Sequence, residues 1–344
     1  MQQLDIWHAV VLGIVEGITE YLPVSSTGHL ILASSLMRLD KIVSKGDLDD
    51  FEIVIQGGAI LAVLGLYWPS VLKMLRGVLG KDPQGFALLV NLFLAFVPSG
   101  LLALLLKDKI NQYLFYPVPV LAALFLGGVY MLLVDGWQRR KLARDPSSLP
   151  TKTIYDVTPL DAIKIGLLQC LSLWPGTSRS LMTITGGLFC GLRPKQAAEF
   201  SFLLGLPTLT AATLYKLYKN LHQSHKLGTP NMFQSLGTGA CIIGILVAMV
   251  AAVVAVRWLV GFLNKHGLAP FGWYRIALTL VLAALVLGGF VQIGDSGPTR
   301  KDATQTTVEK VKVWDKPRTS PTSAPPAADT GNLPVPQSGS GGPK

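Results

Sequence analysis

Charge is scarce in this chain: 15% of its 344 residues are Asp, Glu, Lys or Arg, against 50% hydrophobic, and the mean hydropathy is positive. That balance fits several membrane spans better than one soluble core. Cysteine is nearly absent. Cys170, Cys190 and Cys241 lie in apolar stretches without paired metal-ligand spacing, so they read as buried thiols and no disulfide framework is inferred. His8, His222, His225 and His266 likewise show no zinc spacing. Acids are the scarcer sign, 20 against 30 basic residues, for a net charge of +10. The basic residues sit in short loops between apolar runs rather than on one face, which argues for membrane orientation and against nucleic acid as a partner. The N-terminus carries Asp5 and lacks both a basic n-region and a small-residue cleavage site, so the first helix reads as retained rather than as a removable signal peptide.

Long apolar runs are what the chain has in quantity. A span needs about 20 apolar residues, and six stretches are long enough: roughly 50–68, 86–106, 118–136, 196–216, 236–258 and 273–293. Four more, roughly 6–22, 26–37, 159–174 and 178–190, form two pairs, each split by a break containing Pro23 or Pro175. A helix of about 15 residues reaches only about 22 Å, short of a hydrocarbon core about 30 Å thick. Each pair, about 6–37 and 159–190, is therefore expected to be a re-entrant hairpin. The two hairpins resemble each other: LPVSST at 22–27 parallels WPGTSR at 174–179, and the spans that follow contain FEIVIQGG and AEFSFLLG. Three full spans, an odd number, lie between them, so the second hairpin enters from the opposite face. The expected fold class is an all-α polytopic membrane protein, six full transmembrane helices plus two re-entrant helical hairpins in an inverted-topology repeat, with the two breaks meeting near the midplane. This membrane domain covers 1–294, and 295–344, rich in Pro, Ser and Thr, reads as a disordered tail. Loops on the N-terminal face carry 8 basic residues, among them Arg38, Lys41, Lys45 and Lys226; the other face carries 12, among them Lys73, Arg139, Arg140 and Lys265. The excess marks the second face as cytoplasmic and both termini as extracytoplasmic.

Chemistry concentrates at the breaks. The segment EGITEYLPVSSTGHLIL, Glu16–Leu32, places two carboxylates, a hydroxyl cluster and a histidine in otherwise apolar surroundings. Such groups are expensive in lipid and read as functional. Glu16 and Glu20 are four apart and share one helical face, where like charges need a proton, a divalent cation or a cationic partner. Pro23 ends the first helix, and the hydroxyls of Ser25, Ser26 and Thr27 suit the N-cap of a second. The other hairpin offers Thr177, Ser178 and Arg179, whose guanidinium grips a carboxylate or phosphate bidentately. Two half-helix N-termini, near Ser26 and Ser178, would face one central site suited to an anion. Mg²⁺ or Ca²⁺ on Glu16 and Glu20 would make the acids attractive to phosphate.

Plainer structural roles compete. The two acids could be satisfied by Arg179 and the hydroxyls, the hydroxyls could be caps alone, and His29 could be a satisfied bundle histidine, although it lies three residues after Ser26 on the same face. Glu52 and Glu199 open long spans, where capping or dipole stabilisation is the favoured account. Arg275, just inside the last span, reads as a residue that snorkels to the interface.

EGITEYLPVSSTGHL resembles the acidic signature of the bacterial undecaprenyl-diphosphate phosphatases of the bacitracin-resistance type, and PGTSRS resembles their second signature. The resemblance covers about 1–294 and departs at Leu181, where the family usually has glycine. It implies an inner-membrane, multi-pass enzyme that hydrolyses undecaprenyl diphosphate to undecaprenyl phosphate and inorganic phosphate. That step recycles the lipid carrier for cell-wall synthesis and confers bacitracin resistance. It further implies dependence on a divalent cation, with Glu16 and Glu20 in the acidic motif and as metal ligands. Ser26 and His29 fall at its catalytic end, and Arg179 is the phosphate-gripping arginine. Ser25, Thr27, Gly28, Thr177 and Ser178 fall at phosphate-lining positions. Ser26, His29 or an activated water each remain open as the nucleophile. The lipid substrate and the bilayer are the expected partners, with a homodimer also admitted. The competing class is a polyprenyl-phosphate transporter or flippase, because broken helices in an inverted repeat are a transporter architecture.

Overall fold

Helix-start signals recur along the chain. Ser44 accepts from the Asp47 N–H at 3.1 Å, Asp82 from Gly85 at 2.9 Å, and Thr158 and Asp161 form a reciprocal capping box. The computed structural model describes residues 4–145, 150–227 and 230–291, all within one unit, Met1–Ser296; the tail inferred over 295–344 lies outside the described residues. The described residues are helical with no strand, apart from one isolated bridge between Lys152 and Leu192. The first half holds α1 (Ile6–Thr19), α2 (Ser26–Leu36), α3 (Lys45–Leu66), α4 (Trp68–Val78), α5 (Pro83–Tyr113) and α6 (Pro117–Arg144). The second holds α7 (Pro159–Gln169), α8 (Arg179–Phe189), α9 (Pro194–Leu227), α10 (Met232–Leu236), α11 (Thr238–His266) and α12 (Ala269–Leu287).

Five helices, α5, α6, α9, α11 and α12, are long and apolar enough to cross a membrane. A sixth span exists if α3 and α4 count as one, bent by 77° between Leu66 and Trp68. The expected span at 50–68 thus starts earlier and turns sharply into α4, whose mixed sequence WPSVLKMLRGV was too polar to stand out as an apolar run. Outward faces carry exposed Leu104, Leu105, Val250, Val254 and Leu280, as lipid contact requires. The protein is a multi-pass membrane protein.

Several helix pairings recur between the two halves. α1 lies on α11 as α7 lies on α5, α3 meets α11 as α9 meets α5, and α6 pairs with α12. Small residues set these close approaches. A Cβ on Gly13 would come within 2.8 Å of the Gly244 carbonyl oxygen, and one on Gly166 would strike the Ala95 backbone. Gly128 and Gly272 face each other reciprocally across α6 and α12, a Cβ on either lying 2.9 Å from the other's carbonyl oxygen. α1 also packs against α2, and α7 against α8.

Candidate active site

Both breaks deform the backbone at one serine. Ser25 (φ 74°) and Ser178 (φ 78°) occupy the positive-φ region that side chains rarely adopt, each directly before a half-helix. Their equivalence pairs Ser26 with Arg179, one residue out of the register that the LPVSST and WPGTSR parallel suggested. The same spacing pairs Gly13 with Gly166, Glu16 with Gln169 and His29 with Met182. The two cradles are therefore alike in backbone and unlike in chemistry, with acid and imidazole in the first only.

Irregular backbone inside a membrane protein must find partners for its carbonyls. In the first break Leu22 O accepts from Ser180 Oγ at 2.9 Å, Pro23 O from Arg275 Nη1 at 3.4 Å, and Ser25 O from His29 Nδ1 at 2.7 Å. In the second, Gly176 O and Thr177 O accept from Arg275 Nη2 and Nη1 at 2.7 and 3.0 Å. Arg275 completes its set on Leu124 O and Ala123 O of α6 at 3.2 and 3.1 Å. It is fully buried and ties both breaks to one helix. It does not snorkel, because five carbonyl acceptors inside the bundle hold the guanidinium better than a reach to the interface could. Its partners are main-chain atoms, which no side-chain pattern announces.

Glu20 stands at the centre. Its Oε2 accepts from Ser26 Oγ at 3.0 Å and its Oε1 from Arg179 Nη2 at 3.1 Å, both carboxylate and guanidinium being buried. Arg179 also donates from Nη1 to Ser201 O at 3.0 Å, lies over the Tyr21 ring at 5.5 Å, and backs onto Gly205, where a Cβ would press on the guanidinium at 3.0 Å. Two buried atoms stay unpartnered here, Arg179 Nε and Glu16 Oε2. One donor and one acceptor left over in a buried site are open valences for an anion and a cation.

The other expected lining residues separate. Ser26 and Thr27 are half-buried at the opening of α2. Ser25 is buried, and its side chain does not cap α2. The hydroxyl of Ser178 does cap α8, accepting from Leu181 N–H at 3.3 Å, and bonds to Ser180 Oγ at 3.0 Å, so it is committed to the framework. Thr177 is buried with its carbonyl on Arg275. Gly28 packs on Leu124, 3.1 Å from where its Cβ would be, a contact between α2 and α6. Glu52 and Glu199 lie inside α3 and α9 rather than at their starts, so neither caps; Glu199 accepts from Gln196 Nε2 at 2.9 Å.

His29 does not reach Ser26. Its Nδ1 is on Ser25 O and its Nε2 lies 2.6 Å from Tyr274 Oη. Ser26 is served by Glu20 instead. Tyr274 is the contributor that motif spacing missed, and Arg275 was noticed in the sequence but for another role.

No group of three or more His, Cys, Asp or Glu converges on a metal position among the described residues. The donors nonetheless suit a hard cation: Glu16 has a free buried oxygen, Glu20 lies one turn on, and diphosphate oxygens could complete the shell.

Several apolar spans around a buried acid–arginine pair at two helix breaks define an integral membrane protein with a polar interior. The family model described as "Bacitracin resistance protein BacA" matches residues 9–281. Undecaprenyl-diphosphatase 2 of Rhodospirillum rubrum is 45% identical over 283 residues, covering 82% of this chain and 96% of that protein. Undecaprenyl-diphosphatases of Acidovorax ebreus and Sorangium cellulosum are 40% and 43% identical, covering 85% and 82% of this chain and 98% and 85% of their own lengths. The chain belongs to the bacitracin resistance protein BacA family.

Proposed function

We propose that this chain hydrolyses undecaprenyl diphosphate to undecaprenyl phosphate and inorganic phosphate in the bacterial inner membrane, recycling the lipid carrier for cell-wall synthesis and conferring bacitracin resistance. The observation that carries the reading is Glu20, with one oxygen on the Ser26 hydroxyl and the other on the Arg179 guanidinium, in a chain whose relatives above are named undecaprenyl-diphosphatases.

Ser26 Oγ attacks the terminal phosphorus, and its proton passes to Glu20 Oε2 along the existing hydrogen bond. The new Oγ–P bond forms as the bridging P–O bond breaks and undecaprenyl phosphate leaves. Water then displaces Ser26, which recovers its proton from Glu20. Arg179, with Nε free, and the first N–H groups of α2 stabilise the charge on the transferring phosphoryl group. His29 has both ring nitrogens engaged, which disfavours it as the base for Ser26 or as a phosphoryl acceptor. Glu16, and Glu20 second, would hold Mg²⁺ or Ca²⁺, which when bound supplies charge neutralisation on the diphosphate. The membrane arrangement belonging to this reading has α1–α2 and α7–α8 as re-entrant hairpins from opposite faces, α3–α4 as the sixth span, and both termini extracytoplasmic. The reacting groups come from one chain, so the homodimer is not required for the chemistry.

The helix pairings that recur between the two halves also suit a transporter. Purified protein in detergent separates the two: a phosphatase releases inorganic phosphate from undecaprenyl diphosphate, and a pure flippase releases none. Ser26→Ala and Arg179→Lys should each reduce release by roughly 10²-fold or more, the lysine because it lacks the planar two-pronged grip. Undiminished release by Ser26→Ala would remove the serine-nucleophile route, and no release by the unmodified protein would remove the function.

A further inference from the structure

His29 is clamped from two sides. The Ser25 carbonyl can only accept, so the 2.7 Å contact puts the proton on Nδ1. Nε2 is then the acceptor in the neutral ring, and Tyr274, 2.6 Å away, supplies the O–H. Should the imidazole take a second proton, the same hydroxyl can accept from Nε2–H, so the bond survives in either state. The rings stack with centroids 5.6 Å apart and planes 11° apart, which leaves the hydroxyl in line with the imidazole edge. Tyr274 adjoins Arg275 on α12, so two consecutive residues act on the same break. Arg275 holds Pro23 O directly, and Tyr274 reaches Ser25 O through His29.

We propose that Tyr274 is a positioning residue for the hydrolysis. Its hydroxyl holds the His29 ring through Nε2, the ring so placed donates from Nδ1 to the Ser25 carbonyl, and that bond maintains the positive-φ turn presenting Ser26 to Glu20. The proposal rests on the reading of Ser26, Glu20 and Arg179 as the reacting centre. It assigns His29 an architectural function through Ser25 rather than a proton-abstracting one on Ser26.

Tyr274→Phe keeps the stacked ring and removes the hydroxyl alone. In the purified full-length chain, phosphate release from undecaprenyl diphosphate should show kcat lowered about tenfold, the scale of one lost hydrogen bond, with KM nearly unchanged. His29→Ala should lower kcat at least as far, and Tyr274→Phe added to it should do nothing more, because the residue acts only through the imidazole. The ¹⁵N spectrum of histidine-labelled protein, with the His29 signals identified by their loss in His29→Ala, should show the Nδ1–H tautomer with a hydrogen-bonded Nε2 in the unmodified chain, and an Nε2 signal moved to the position of an unbonded acceptor in Tyr274→Phe. Full kcat in Tyr274→Phe, a raised KM at constant kcat, or an equal loss with and without His29 would each overturn the proposal. These outcomes are read against an active unmodified protein, so they leave the phosphatase reading standing; an inactive unmodified protein would take both down.

Discussion

Glu16 and Glu20 are the same residue type one helical turn apart, yet they face different tasks. Both oxygens of Glu20 are committed, to Ser26 and to Arg179, whereas Glu16 keeps a buried oxygen with no protein partner. Their amide variants should therefore fail differently. Glu20→Gln can offer only one acceptor oxygen and leaves Arg179 as an uncompensated buried cation, a loss on the order of 3–5 kcal/mol when one partner of a buried pair is removed. Activity should fall by about 10³-fold or more, with a lowered midpoint of thermal unfolding. Glu16→Gln removes charge where no protein bond exists, so stability should hold. The variant should instead need more Mg²⁺ or Ca²⁺ to reach half-maximal phosphate release, and chelation should silence the unmodified enzyme. Full activity in excess EDTA would refute the metal assignment, and identical behaviour of the two variants would refute the division of labour.

At the scale of the helix breaks, the decisive residue is Arg275. Its five bonds hold Pro23, Gly176 and Thr177 against Ala123 and Leu124, and each carbonyl abandoned in the interior costs on the order of 1–3 kcal/mol. Arg275→Met supplies similar volume with no donors and should depress both folding yield and turnover. Arg275→Lys keeps the charge but cannot span five acceptors in a fork, so its activity should stay far nearer to the methionine variant than to the unmodified protein. Recovery of normal turnover by the lysine would show that charge, rather than the brace, is what the breaks need. The breaks themselves were legible in the sequence because each joins a proline to clustered hydroxyls, Pro23 to Ser25, Ser26 and Thr27 and Pro175 to Thr177 and Ser178; proline alone is no such sign here, since Pro98 and Pro207 lie inside α5 and α9. The brace was not legible, since carbonyl acceptors are the same for every residue type. A lone arginine in an apolar run gives no sign of which backbone it will serve. The partners of His29 were hidden for a related reason. Spacing put His29 on the face of Ser26, but the carbonyl at Ser25 and a hydroxyl 245 positions away claimed both its nitrogens.

For the whole molecule, the question is which side of the membrane the substrate comes from. The six long apolar stretches correspond to α3, α5, α6, α9, α11 and α12, because a run of apolar residues that long has few other uses. The bend into α4 and the helix turns beyond each run depend on caps and tertiary contacts that hydropathy does not report. If α1–α2 and α7–α8 both re-enter, Lys41 and Lys226 share one face while Arg140 and Lys265 share the other, and all four are exposed. The excess of basic residues on the second face predicts that it is the cytoplasmic one. In a background with Cys170, Cys190 and Cys241 changed to alanine, single cysteines at Lys41 and Lys226 should react with a membrane-impermeant thiol reagent in intact spheroplasts. Those at Arg140 and Lys265 should react only after the membrane is opened. That pattern would give undecaprenyl diphosphate released by outside polymer synthesis direct access to Glu20 and Ser26. Labelling at Arg140 in sealed cells, or equal labelling at all four, would mean that at least one hairpin crosses completely.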